Sequence, residues 1–333
     1  MAGWIITTVA GTGEKGFAGD GGAATAALLN GPFDVAFGGG GDLYFSDTFN
    51  QRVRRIDRGT GIITTVAGSG EKGFSGEGGP AIAASFDEPY GIVLDRAGNL
   101  YVADRLNKRV RRVAAATGII TTIAGPEQDF VEPNGLALDP AQALLYVADV
   151  ADHRVRTVDL ASGRIATFAG TGKAEHSGDG GRAGEAGIFG ARAVKIAADG
   201  TVFILERQGS SLRAVDPATG IIATVAGTGA RGYGGDGGPA LAAVFDAPKE
   251  MALDPSGGVL IVDTENHAIR RFDRSAGTVT ALAGGRQGGE GDGGPAERAG
   301  LDRPHGAVVG PDGAIYIGDT NNHRIRKVVR VER

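Results

Sequence analysis

The sequence predicts an all-β protein, a six-bladed β-propeller of four-stranded antiparallel blades, on three observations. The segment IITTVAG and its variants place Val9, Val66, Ile123, Phe168, Val225 and Leu282 at equivalent positions, spaced 57, 57, 45, 57 and 57 residues apart. A fixed period of this length marks a propeller, solenoid or array. Each copy also carries three runs of β character, such as PYGIVLD, NLYVAD and KRVRRV, separated by Asp-Gly, Gly-Asn or Gly-Thr dipeptides. With IITTV they make four short strands joined by turns. Glycine supplies 59 of the 333 residues, which suits a fold of many tight turns needing positive φ.

The elements follow in order. Trp4 to Val9 reads as a lone fourth strand, and the other end of the chain supplies three, His305 to Val309, Ala314 to Asp319 and His323 to Val331. One plus three completes a sixth blade, a clasp that pairs edges otherwise left open. Between each fourth strand and the next first strand runs an excursion of about twenty residues, GTGEKGFAGDGGAATAALLNGP in the first copy. Its acidic residue recurs as Asp20, Glu77, Asp179, Asp236 and Asp292, followed by Ala-rich text that reads as one or two helical turns behind an acidic cap. One carboxylate per loop is poor provision for calcium, which takes six to eight oxygens. The third copy omits the excursion, since Ile123-Ala124-Gly125 runs into PEQDFVEPNG. The other five loops are expected to wall one face, leaving a notch over blade three that leads to the central funnel.

The units PYGIVLDRAGNLYVADRLNKRVRRV and PHGAVVGPDGAIYIGDTNNHRIRKV resemble the NHL repeat, and the resemblance recurs in register along nearly the whole chain. That family implies a propeller, and it includes peptide-amidating lyases, signalling and RNA-binding modules and adhesion domains, so fold alone selects no activity. The amidating lyases hold zinc with several funnel histidines, whereas His153, His267 and His323 lie in the repeated turn, His176 in a loop, and only His305 at the funnel. EPNGLALD, from Glu132 to Asp139, also resembles the strand start of gluconolactonase and paraoxonase-type propellers, which implies Asn134 as a calcium ligand.

Composition narrows the partners. One propeller accounts for residues 1–333 as a single domain, expected to be monomeric. With 34 Lys and Arg against 39 Asp and Glu, a net charge of −5 and 6% aromatic residues, the chain lacks the one-sided basic stripe of a nucleic-acid binder. No cysteine is present, so disulfide and thiolate chemistry are excluded. No signal-peptide core and no run of about 18 apolar residues occurs. The expectation is a soluble protein that does not engage membranes, cytoplasmic or secreted after loss of a leader.

The candidate site comes from comparing the copies with one another. The first strands align as GPFDVAF, EPYGIVL, EPNGLAL, GARAVKI, APKEMAL and RPHGAVV. A position otherwise Gly or Ala becomes Asp34 and Glu250, and one two residues later becomes Lys195. By strand periodicity all three share the small-residue face, where isolated charges are costly unless paired or solvated. The preceding variable position contributes Phe33, Tyr90, Asn134, Arg192, Lys249 and His305 at the funnel mouth, and the second strand ends in Asp in five copies but Glu206 in the fourth. These residue types suit a hydrolase or lyase acting on a small anionic ester, lactone or phosphoester. In that scheme Arg192, Lys249 and Lys195 hold the anion, with Phe33 beside it. Glu250, Glu206 or Asp34 acts as general base, Tyr90 or His305 as proton donor, and Lys195, if desolvated, as base or Schiff-base nucleophile. Asn134, Asp34, Glu206 and Glu250 are oxygen donors suited to calcium or another divalent cation. The competing class is a non-catalytic module binding a peptide or glycan on the loop face, which exposed Phe17, Phe74 and Tyr233 would favour.

Overall fold

In the computed structural model, which describes residues 3–331, six four-stranded antiparallel sheets follow one another around a ring. Blade 1 comprises Pro32–Phe37, Leu43–Asp47, Arg52–Ile56 and Ile63–Ala67; blade 2, Pro89–Leu94, Leu100–Asp104, Arg109–Val113 and Ile120–Ala124; blade 3, Pro133–Leu138, Leu144–Asp149, Arg154–Asp159 and Ile165–Ala169. Blade 4 comprises Ala191–Ile196, Val202–Glu206, Ser211–Val215 and Ile222–Ala226; blade 5, Glu250–Leu253, Val259–Asp263, Ala268–Asp273 and Thr278–Gly284. Blade 6 joins Gly306–Val309, Ile315–Asp319 and Arg324–Val331 to Gly3–Ala10, which pairs antiparallel with the third of these strands. The clasp is therefore present as the strand pattern requires. Among the described residues no helix is long and apolar enough to cross a membrane.

Apolar side chains fill the spaces between blades. One cluster unites Leu29, Phe45 and Ile63 with Ile325 of blade 6, and another unites Tyr101 and Val110 of blade 2 with Leu136 and Leu145 of blade 3. The first strands of neighbouring blades meet around the axis. Their crowding explains the small residues there: a Cβ at Gly91 would lie 2.0 Å from the Asn134 carbonyl oxygen, and one at Gly306 would lie 2.2 Å from that of Phe33.

Five fully buried arginines, Arg54, Arg111, Arg213, Arg270 and Arg326, brace the blades. Each lies on a third strand immediately beside a register shift against the fourth, or opposite one in blade 6. The extra residue lies on the fourth strand while the third keeps its alternation: Val53 packs against blade 2, and Arg54, on the opposite face, is covered by the excursion, whose Leu28 and Ala18 carbonyls it reaches. Arg54 spans the carboxylate ending the second strand, Asp47 at 3.5 Å, and that of the excursion, Asp20 at 2.7 Å. Blades 4, 5 and 6 repeat this with Glu206 and Asp179, Asp263 and Asp236, and Asp319 and Asp292.

Two expectations about the excursions change. The helical element is a single 3-10 turn, such as Ala24–Ala26, whose N-cap position is Ala23 and has no side-chain cap. Asp20 instead accepts from the Thr65 backbone N–H and hydroxyl while it holds Arg54. A carboxylate bound to a buried guanidinium and a strand edge is better satisfied there than at the end of a one-turn helix. The loops accordingly lie over the outer strands of the following blade, and of the five excursions the mouth cavity takes only Arg303, at the end of the one before blade 6, among the described residues. In blade 3, where the excursion is missing, Arg156 turns to Asp152 at 2.7 Å and the Gln128 carbonyl at 3.0 Å, over the buried Phe130.

Candidate functional site

Two layers of side chains occupy the axis. The mouth is a cavity of about 240 Å³ lined by Phe33, Tyr90, Asn134, Arg192, Lys249 and His305, one from the start of each first strand. All six variable positions thus come together as the copy-to-copy comparison predicts. They interlock: the Phe33 ring lies 4.4 Å from Tyr90 and 4.0 Å from His305, the Lys249 ammonium donates to His305 Nε2 at 3.0 Å, and Arg192 donates to Asn134 Oδ1 at 2.6 Å.

The cavity also holds Arg105, Arg207, Arg303, Glu132, Phe49, Thr320 and Asn321, none of which the sequence reading placed there. Arg105 and Arg207 stand just after the second-strand carboxylate, where blades 1, 5 and 6 have Thr48, Thr264 and Thr320, and Arg303 precedes the conserved-in-repeat proline position as Gly31 does in blade 1. The same comparison, carried to those columns, finds them.

Charge in this basin is unevenly matched. Arg105 bridges Glu88 at 2.5 Å and Glu132 at 2.6 Å, and Glu265 serves both Arg303 at 2.6 Å and Lys249 at 3.3 Å. Arg192 is 6% exposed, and its only hydrogen-bond partner among the described residues is Asn134. The Arg207 Nε is buried and unbonded. Burial, Arg192 and Arg303 push Lys249 down to about 7, although Glu265 opposes them. Burial, Lys249 and Arg192 hold His305 well below its ordinary value, so it is neutral. Its Nδ1 faces the Arg303 carbonyl at 2.8 Å, which only accepts, so Nδ1 carries the proton and Nε2 is the acceptor for Lys249. His305 is therefore not placed as the proton donor while Lys249 is charged. Burial raises the Tyr90 phenol, against Arg192 and Arg105, and keeps it protonated.

Asp34, Glu250 and Lys195 form the second layer. Lys195 Nζ lies 3.2 Å from Glu250 Oε1 and 3.5 Å from the Leu136 carbonyl. Asp34 accepts the backbone N–H groups of Val35 and of Ile92 in blade 2, both at 2.9 Å. Burial and Glu250 raise Asp34 to about 7, while Lys195 and the two N–H groups pull the other way. Burial alone depresses an ammonium, but Glu250 and Asp34 more than offset it and hold Lys195 above its ordinary value. A charged lysine is not a Schiff-base nucleophile.

Glu206 stands apart from both layers. It is fully buried between Arg213 at 3.2 Å and His176 Nδ1 at 2.6 Å, in the bracing position that Asp47 holds in blade 1. Its proposed part as base or ligand fails on this placement, because its oxygens face the loop clamp. The extra methylene fits because Gly209 replaces the turn asparagine, and a Cβ there would lie 2.1 Å from Glu206 Oε2. The four oxygen donors suggested for a divalent cation do not assemble: Glu206 is in the clamp, Asn134 is bound to Arg192, and the Lys195 ammonium already stands beside Asp34 and Glu250. Among the described residues no group of three or more His, Cys, Asp or Glu is arranged to hold a metal. His153, His267 and His323 accept the backbone N–H of Gly190, Arg303 and Gly31 in the neighbouring blade, the structural part their recurrence predicts. Phe17, Phe74 and Tyr233 are 41, 44 and 49% exposed, on three separate loops, with Arg52, Arg109 and Arg270 stacked on their rings.

Comparisons with known proteins agree with this architecture. Residues 301–328 match the family model described as the NHL repeat. The chain is 30% identical over 112 residues to Suppressor of Quenching 1, a chloroplastic protein of Arabidopsis thaliana, covering 34% of the chain and 10% of that protein. It is 26% identical over 300 residues to NHL repeat-containing protein 2 of Bos taurus, covering 85% of the chain and 37% of that protein. The chain thus spans well under half the length of either relative. Among solved structures it resembles an auxiliary nutrient binding protein of Bacteroides thetaiotaomicron, with TM-score 0.72 and 18% identity over 100% of this chain and 78% of that one. It also resembles a streptogramin B lyase, with TM-score 0.60 and 12% identity over 99% and 98% of the two chains. The sixfold recurrence of the pattern and the closed ring of four-stranded sheets make this chain a six-bladed β-propeller that carries an NHL repeat at residues 301–328.

Proposed function

We propose that the chain is a hydrolase or lyase that takes a small anionic molecule at the funnel mouth. One observation carries this reading: Lys249 and a neutral His305, hydrogen-bonded at 3.0 Å, share a cavity with two guanidinium groups, Arg192 and Arg207, that have no carboxylate within salt-bridge distance among the described residues. Arg192 is buried and Arg207 half-buried with its Nε buried and unbonded, and a buried cation without a partner is costly to maintain unless it has an anion to receive. Arg192 and Arg207 suit the carboxylate or phosphate, with planar donors that match its oxygens. Lys249, near neutrality, is the base that takes a proton from water or from carbon, and Tyr90 is the donor to the leaving group. Asp34, Lys195 and Glu250 make a separate charged layer that does not line this cavity. A lyase and a nutrient-binding protein share this fold, so binding without turnover is the competing outcome.

The test is turnover of anionic esters, lactones and phosphoesters by the purified chain. An active substrate is expected to lose about 10² to 10⁴ in rate in Lys249→Met, with circular dichroism unchanged. Its rate should rise with pH through about 7 as the Lys249 ammonium loses its proton. Turnover indifferent to Lys249→Met and Arg192→Met would overturn the assignment, and anion binding without any turnover would reduce it to recognition.

A further inference from the structure

The mouth is divided by chemistry, and the division repeats in two independent columns of the repeat. At the start of the first strands, blades 1 and 2 contribute Phe33 and Tyr90, whereas blades 4, 5 and 6 contribute Arg192, Lys249 and His305. Two residues after the second-strand carboxylate, blades 1 and 2 carry Phe49 and Leu106, whereas blades 4, 5 and 6 carry Gln208, Glu265 and Asn321. The Phe33 and Phe49 rings meet edge to face at 5.5 Å, and Phe49 and Leu106 remain 45 and 41% exposed, although large apolar side chains are commonly buried. On the cationic side Glu265 is the one carboxylate within salt-bridge distance of Arg192, Arg207, Lys249 and Arg303 among the described residues, with Glu250 also acting on Arg192, whereas Arg105 on the apolar side is neutralised by Glu88 and Glu132.

We propose that the ligand of this mouth is an amphipathic oxyanion: a carboxylate or phosphate held on the blade 4 to 6 side by Arg192 and Arg207, joined to a flat apolar body resting on the exposed Phe49 ring, which the buried Phe33 backs edge to face. This rests on the anion-binding reading above and specifies the ligand's second half. A simple inorganic anion uses only the cations and leaves the aromatic shelf wet. A ligand with an apolar body covers Phe49 and gains from ring stacking as well as from charge. The cavity, about 240 Å³, accommodates one ring-sized group with its anionic substituent and leaves larger ligands protruding over the exposed Phe49 and Leu106.

Calorimetric titration with four probes tests this: acetate, benzoate, inorganic phosphate and phenyl phosphate. Benzoate and phenyl phosphate are expected to bind about tenfold tighter than acetate and phosphate respectively. Phe49→Ala should remove that advantage and leave the small anions unchanged, Phe49→Tyr should keep it, and Arg207→Met should weaken all four. Equal affinity within each pair, or an advantage that survives Phe49→Ala in a protein of unchanged circular dichroism, overturns the amphipathic ligand and leaves the anion site standing. Failure of all four to bind overturns the anion site as well.

Discussion

Asp34 owes its altered charge state first to burial and then to the neighbouring Glu250. Its raised value, about 7 against the ordinary 3.8, means that the folded protein holds this proton over a range in which the unfolded chain has released it. Its contribution to stability is therefore complete below pH 3.8 and is lost as pH rises to about 7. Asp34→Asn should flatten that part of the curve, which urea midpoints of parent and variant from pH 4 to 8 measure; parallel curves would refute the shift. The buried carboxylates Asp104, Asp263 and Asp319 also titrate in this range but are common to both proteins and cancel in the difference. Lys195→Ala should cost about 3 to 5 kcal/mol, because it strands Glu250 beside Asp34. Removing all three charges together should cost much less, a comparison that chemical denaturation makes directly. The outlying charges were legible because the sister copies, four for Asp34 and Glu250 and five for Lys195, show what each column otherwise holds. Arg105, Arg207 and Arg303 were not, because strand periodicity drew the comparison to the first strand, while the cavity is closed by turns whose direction no period reports.

Where the second strand of blade 4 ends, three substitutions answer one another. Glu206 replaces an aspartate, Gly209 replaces the asparagine that would crowd it, and Ser211 replaces the arginine, leaving room for His176 to bond both Glu206 and, at 3.4 Å, the Ser211 hydroxyl. Glu206→Asp alone should lose the bond to His176 and destabilise the protein by about 1 to 3 kcal/mol. Adding Gly209→Asn restores the cap of the other blades, in which Asn50 donates to Asp47 at 2.8 Å, and should recover much of that loss. A double variant no more stable than the single, by thermal melting, would show that the three positions are independent. The sequence marks this blade as exceptional, yet the reason lies in a histidine 30 residues away that only folding brings near. The clamp arginines were hidden for a similar reason, since RVRRI reads as an exposed basic strand until the excursion, whose Asp20 lies 34 residues before Arg54, folds over that guanidinium.

The whole ring depends on residues from both ends of the chain. Residues 3–10 supply the fourth strand of blade 6, and Ile6, fully buried, packs with Leu260, Ile317 and Val328. Removing residues 1–11 should open that edge and expose those side chains, at about 1.5 to 3 kcal/mol for each large one. A truncated chain that keeps its melting temperature would refute the closure. This scale was the most legible of the three, because a 57-residue period fixes blade number and strand order together, while the side-chain contents of the axis obey no period. The clasp also sets a timetable. Its two strands, Gly3–Ala10 and Arg324–Val331, stand at opposite ends of the described sequence, and a ribosome working at about 5 to 20 residues per second needs roughly 15 to 60 s to travel from one to the other. Through that interval the Gly3–Ala10 strand lacks Arg324–Val331 as its partner, and the ladder groups that pair with it remain open to other chains. The newborn protein thus meets its greatest hazard of mispairing before its last blade exists, and slower synthesis lengthens that exposure.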